Sequence, residues 1–145
     1  MNTAPQGAAA TRPARAGGYR ILVVEDAPDV RELLRLTFEG EGYEVLTAGD
    51  GLSAVETAHR ESPDAVVMDM SLPGLDGYNA ARLMRREPAL AGVPLIACTA
   101  FNRWEWRGKA IAAGFDAFMT KPLDLRRLTA TLATLLADRA NRRAG

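Results

Sequence analysis

The chain has 145 residues, with 18 Lys and Arg against 18 Asp and Glu, 48% hydrophobic residues and one cysteine. That is one domain of ordinary size, able to bury a core without disulfides or a structural metal. Cys98 has no partner, which excludes a disulfide framework, and no apolar run approaches the roughly 18 residues of a membrane span, so a soluble, cytoplasmic chain is expected.

The zero net charge is unevenly spread. Residues 21 to 125 hold 10 basic against 17 acidic residues, a net of −7, and both ends are basic. Residues 1 to 18, rich in Ala, Gly, Pro and Arg without helical or strand period, are expected to be a disordered leader. A domain over 19 to 138 follows, and 139 to 145 reads as a basic tail. Basic ends on an acidic body point to charge balance, and no direct DNA binding is expected.

Short apolar runs recur along the domain: ILVV at 21 to 24, EVLTA at 44 to 48, AVVMDM at 65 to 70, PLIACTA at 94 to 100 and DAFMT at 116 to 120. Each has the length and composition of a strand buried on both faces of a parallel sheet. Amphipathic segments separate them. Val30, Leu33, Leu34 and Phe38 share a helical face after Pro28, and Gly40 with Gly42 closes that helix. The stretches 51 to 61, 77 to 87, 103 to 113 and 124 to 138 repeat the pattern, the last with Leu125, Leu128, Leu132, Leu135 and Leu136 as its stripe. Five strands alternating with five helices imply a doubly wound α/β fold with a parallel sheet. Periodicity leaves the order of the strands open.

Ligands of such sheets bind beyond the carboxyl ends of the strands. There the sequence places Glu25 and Asp26 after the first strand, Asp69 after the third, Thr99 after the fourth and Lys121 after the fifth. Each alone reads equally well as a cap or loop residue; five on one rim form a site. Three crowded carboxylates call for a hard cation, and Mg2+ suits carboxylates, water and phosphate oxygens. With a nucleophilic Asp69, the Lys121 ammonium and the Thr99 hydroxyl, these are the parts that bring a phosphoryl group to an aspartate. The loop Ser71-Leu72-Pro73-Gly74-Leu75-Asp76-Gly77 has the turn chemistry to fold over Asp69 and offer a carbonyl to the metal.

VVED, the strand-end Asp69 followed by LPGLDG, Thr99-Ala100, Ala113-Gly114 and Lys121-Pro122 stand in an order and spacing that resembles the response-regulator receiver domain of two-component signalling, from Arg20 to about Asp138. The resemblance implies a flavodoxin-like sheet of order 2-1-3-4-5. It also implies Asp69 as phosphoacceptor, Asp26 as direct Mg2+ ligand, Glu25 acting through water, and Ser71 lending its backbone carbonyl. Thr99 and Phe118 would be the switch residues, Lys121 would bind a phosphoryl oxygen, and the Lys121-Pro122 peptide would be cis. For Phe118, plain core packing is the competing reading.

Trp104 and Trp106 point about 200° apart on a helix, so one at least is expected on a partner surface. Cys98 reads as a buried apolar residue and His59 as solvated surface. The expected function is a stand-alone receiver, a phosphoacceptor rather than an enzyme, phosphorylated by a histidine kinase or histidine phosphotransfer protein and signalling to an unidentified protein target through helix four, strand five and helix five. Monomer and phosphorylation-dependent dimer are both compatible with the sequence. Two alternatives compete. A phosphorylation-independent adaptor would have no need of the acidic site, and an aspartyl-phosphate phosphatase of the haloacid-dehalogenase type would carry an acid where Ser71 stands.

Overall fold

The computed structural model describes residues 18–100 and 104–144, with the backbone alone for 104–106. The expected leader, apart from Gly18, and the side chains of Trp104 and Trp106, expected as a partner surface, lie outside the described residues. Five strands, β1 (Arg20–Val24), β2 (Glu44–Ala48), β3 (Ala65–Asp69), β4 (Leu95–Thr99) and β5 (Ala117–Thr120), form one parallel sheet in the order β2-β1-β3-β4-β5. Helices α1 (Pro28–Gly40), α2 (Gly51–Glu61), α3 (Gly77–Arg86), α4 (Trp104–Ala113) and α5 (Leu125–Ala144) connect and cover it. No described helix is long and apolar enough to cross a membrane.

The sheet buries both faces because its central strands are apolar apart from their end residues, Arg20, Asp69 and Thr99. All five residues of β3 and of β4 are buried. Along β1, Leu22 and Val24 face one core and Ile21 and Val23 the other, the period-two alternation of a pleated strand. The two cores differ in grain. On the first face the helices contribute mostly alanines, Ala54, Ala58, Ala80, Ala81, Ala110 and Ala113, which let three helices lie close to the sheet. On the second, α1 and α5 fill the space with Leu34, Phe38, Leu128, Leu132 and Leu136.

Local chemistry sets the helix ends. Asp50 caps α2 by accepting from the Ser53 amide at 2.8 Å, and Asp76 caps α3 by accepting from the Asn79 amide at 2.9 Å. Helix α3 ends at Arg86, one residue before expectation, because Pro88 forces Glu87 into extended backbone and then opens a 3-10 turn, Pro88–Leu90. The reading of 139 to 145 as a tail needs correction: residues 139–144 continue α5 without a break. No Gly or Pro interrupts the helix before Gly145, alanine and arginine favour it, and late arginines suit the negative end of the helix dipole.

Candidate phosphoacceptor and metal site

Strand register builds the site. Val24 pairs with Met68 and Asp69 with Cys98, so Glu25, one residue beyond β1, comes level with Asp69, and Thr99 follows on β4. Glu25, Asp69 and Thr99 are each no more than 5% exposed, whereas Asp26 is open to solvent. Carboxylate oxygens of Glu25, Asp26 and Asp69 lie within 4.8 Å of one another. Two unit charges at that separation repel by about 3 kcal/mol in a partly screened site, so this arrangement needs compensation.

Part of it comes from Lys121. Its Nζ donates to Glu25 Oε1 at 3.0 Å and to Asp69 Oδ2 at 3.3 Å. The ammonium is aimed by the backbone: the Lys121 amide donates to the Thr99 carbonyl at 2.6 Å, and the Lys121-Pro122 peptide is cis. The Ala27 amide donates to Glu25 Oε2 at 3.1 Å and the Ser71 amide to Asp69 Oδ1 at 3.0 Å. Burial nevertheless raises the Glu25 pKa, against the Ala27 amide and Lys121, with Asp69 adding to the rise. Burial also works against the Lys121 charge, but Glu25 and Asp69 outweigh it and hold its pKa above the usual value. One cation held by two of three clustered acids leaves the pocket short of positive charge.

The donor set fits a hard divalent cation: carboxylate oxygens alone, crowded, with no histidine or cysteine among them. Glu25, Asp26 and Asp69 are the residues that would hold it. Ser71, exposed and two residues beyond Asp69, lies where its carbonyl could join them.

Two glycines shape the loop above Asp69. A Cβ on Gly77 would sit 2.8 Å from the Asp69 carbonyl oxygen, and one on Gly51 would sit 1.9 Å from the Leu75 carbonyl oxygen. The β3–α3 loop is thereby wedged between the start of α2 and Asp69 itself. Neither glycine stands out in the sequence for this close approach. Gly77 is part of the LPGLDG turn that marked the loop; the Gly51 contact joins residues 24 apart and leaves no local signal.

The remaining candidates lie outside this cluster. Phe118 is half-buried, packs against the alanine-rich core and, with Arg107, lines two recesses, one between α4 and β5 and one that extends to Arg127 of α5. Cys98 is buried and reduced. His59 is exposed, with Nδ1 3.3 Å from Glu87.

Residues 21–133 match the family model described as the response regulator receiver domain. The chain is 36% identical over 116 residues to the probable transcriptional regulatory protein TcrX of Mycobacterium tuberculosis, covering 80% of this chain and 49% of that one. It is 40% identical over 104 residues to an uncharacterized 14.6 kDa protein of Leptolyngbya boryana, covering 72% and 79%. The chain thus spans about half the length of some curated relatives and most of another. Among solved structures, the receiver domain of the sensor histidine kinase PA1611 of Pseudomonas aeruginosa, with a magnesium ion coordinated in its active-site cleft, superposes with a TM-score of 0.77 at 35% identity, over 83% of this chain and 98% of that one.

Proposed function

Because the chain belongs to the response regulator receiver domain family, we propose that it accepts a phosphoryl group on Asp69 from a phosphohistidine of a histidine kinase or phosphotransfer protein. The observation that carries the reading is the state of Asp69: buried, both oxygens engaged by Ser71 and Lys121, and set among acids short of positive charge. A carboxylate oxygen of Asp69 attacks phosphorus in line as the donor's N–P bond breaks, and the electron pair of that bond leaves with the imidazole. The Lys121 ammonium is placed to hold a phosphoryl oxygen, releasing part of its hold on the carboxylates. Mg2+, when held by Glu25, Asp26, Asp69 and the Ser71 carbonyl, supplies electrostatic stabilisation of the transferring group. The protein has no separate substrate; it assists its own phosphorylation and its own hydrolysis.

Thr99, buried at the end of β4, is in this reading the hydroxyl drawn toward the phosphoryl group, and Phe118 on the adjacent strand moves with it. The output is a changed protein-binding surface across α4, β5 and α5. Its targets are proteins rather than DNA, the compartment is the cytoplasm, and Trp104 and Trp106 belong to the contact surface.

Intact-mass measurement after incubation with a small-molecule phosphodonor and Mg2+ tests it. One added phosphoryl group is expected, absent in Asp69→Asn and absent with chelator. A wild type that stays unmodified while binding its partner would establish the adaptor instead, and continuous turnover of phosphoesters would establish a phosphatase.

A further inference from the structure

The basic end of α5 takes no part in the phosphoacceptor site. That site lies at the carboxyl ends of the strands, where α5 begins; the helix runs back along the sheet and finishes at the opposite end. There Arg139, Arg142 and Arg143, spaced three and four apart on one helical face, line an open recess of about 380 Å³ whose other wall is Pro88, Ala89 and Gly92. A volume of this order suits a small ligand, for which roughly 300–1,000 Å³ is usual.

Three features of these arginines and their recess bear on a ligand. First, the arginines are not closed off by ion pairs: among the described residues, Arg20, Arg35, Arg60 and Arg85 form ion pairs with carboxylates, and Arg139, Arg142 and Arg143 form none, Asp64 acting on Arg139 without an ion pair. Arg139 donates to a neutral acceptor, the Asp64 carbonyl, at 3.1 Å. Glu87, beside the opposite wall, has Oε1 3.3 Å from His59 Nδ1 and does not line the recess. Second, the cations crowd one another. Burial pulls the Arg139 pKa down, Arg143 and Arg142 add to that effect, and Asp64 offsets only part of it. Third, the facing wall is anchored, because Arg85 Nη1 donates to the carbonyls of Leu90, Ala91 and Val93 at 3.0, 3.1 and 2.7 Å.

We propose that this recess binds an oligophosphate group. Guanidinium forks match phosphate oxygens two at a time, and three of them on one cavity favour a ligand with several negative charges over a single carboxylate. Binding would relieve the repulsion between arginines at i and i+4. Nucleoside triphosphates and inorganic polyphosphate both carry the required group.

The test is calorimetric titration of the full chain with tripolyphosphate in excess chelator, with amide chemical shifts followed in parallel. One saturable equivalent is expected, with shifts centred on Ala89 and Gly92. Binding should weaken at least tenfold in Arg142→Gln/Arg143→Gln. A second variant, Gly92→Glu, should do the same by placing a carboxylate in the recess; a Cβ at Gly92 meets nothing within 4 Å, so the fold accommodates it. Arg126→Gln/Arg127→Gln removes two charges elsewhere on α5 and should change affinity less than twofold. Tighter binding of ATP than of tripolyphosphate would support the proposal with a nucleotide as ligand, and equal binding would support it with polyphosphate. Non-saturable binding, equal loss in the Arg126/Arg127 control, or stronger binding of duplex DNA with shifts spread over all of α5 would overturn it. Phosphorylation of Asp69 should be unchanged in every variant, so failure here is separable from failure of the receiver reading.

Discussion

The two ends of the sheet each organise a half-buried cation, and they do so in opposite ways. At the carboxyl ends of the strands, Lys121 is one cation shared between Glu25 and Asp69 with Asp26 close by. At the amino ends, Arg85 is surrounded by acceptors: carbonyls of Leu90, Ala91, Val93 and Gly114, and Asp116 Oδ2 at 3.1 Å. Asp116 is itself tied into the sheet through the Leu95 amide at 2.9 Å. One centre is saturated and joins three segments of chain; the other lacks positive charge and can take up a ligand. The difference separates a group that holds the fold from one left open to a ligand.

Breaking the saturated centre should have the largest effect on stability. Arg85→Ala would strip four carbonyls and a carboxylate of their donor, and an unsatisfied buried acceptor costs about 1–3 kcal/mol. Discounting for partial exposure, a loss on the order of 3 kcal/mol is expected, read from chemical denaturation. Lysine should not rescue it, because an ammonium cannot reproduce the fork that donates Nε and Nη2 to the Gly114 carbonyl at 3.1 and 2.6 Å. Below the melting transition, phosphorylation of Asp69 should persist.

Lys121→Met at the other centre should give the converse. The pair is partly exposed, so the stability cost is smaller, about 1–2 kcal/mol, while phosphoryl transfer falls by an order of magnitude or more. The variant also leaves three carboxylates without their ammonium, so Mg2+ should raise its melting temperature more than it raises that of wild type. An equal Mg2+ shift in both proteins would mean that lysine and metal do not compensate the same charge.

The same contrast explains what could be read from the sequence. Strand positions, strand ends and the acid-lysine cluster are legible because the apolar runs of β1, β3 and β4 each end abruptly in a polar residue, Glu25, Asp69 or Thr99, whereas the order of the strands rests on the family resemblance. The cis Lys121-Pro122 peptide followed from the family resemblance and is present in the fold. Arg85 gave no such signal. It lies on a helix with Arg82 and Arg86, and only the tertiary approach of Gly114, with φ of 104° and its Cα 29 residues away in sequence, distinguishes it from a solvated neighbour. The extension of α5 past Asp138 leaves little signal, because its apolar stripe stops at Leu136 and only the absence of a helix-breaking residue before Gly145 marks it.

A finer way to perturb the acidic centre leaves its charges alone. Gly51→Ala and Gly77→Ala each force a methyl against backbone, Leu75 in the first case and Asp69 in the second. Overpacking of this kind costs about 1–3 kcal/mol. Gly77→Ala should slow phosphorylation more than Gly51→Ala for an equal loss of stability, since it presses on the carbonyl of Asp69, the proposed phosphoacceptor. Rates measured on both variants below their melting transitions give the comparison, and a ranking by stability alone would remove Gly77 from the positioning of Asp69.

Cys98 offers the smallest effect, from a titratable group that neither centre satisfies. It pairs with Asp69 in register, and burial pushes its thiol up to about 12 from an ordinary 9.0, with Lys121 opposing and the site carboxylates adding to the rise. Between those values the native chain keeps a proton that the unfolded chain releases. The contribution is therefore fully present below pH 9 and is lost as pH rises toward 12, amounting to on the order of 1 kcal/mol by pH 10. Lysines and tyrosines titrate in the same range, so the informative quantity is a difference: the decline in stability from pH 8 to 10 should be shallower in Cys98→Ala than in wild type. Alkylation gives an independent check. At neutral pH the native thiol should react only as fast as the chain opens, and a rate matching that of an exposed thiol would place Cys98 within reach of the solvent-facing site instead of behind it.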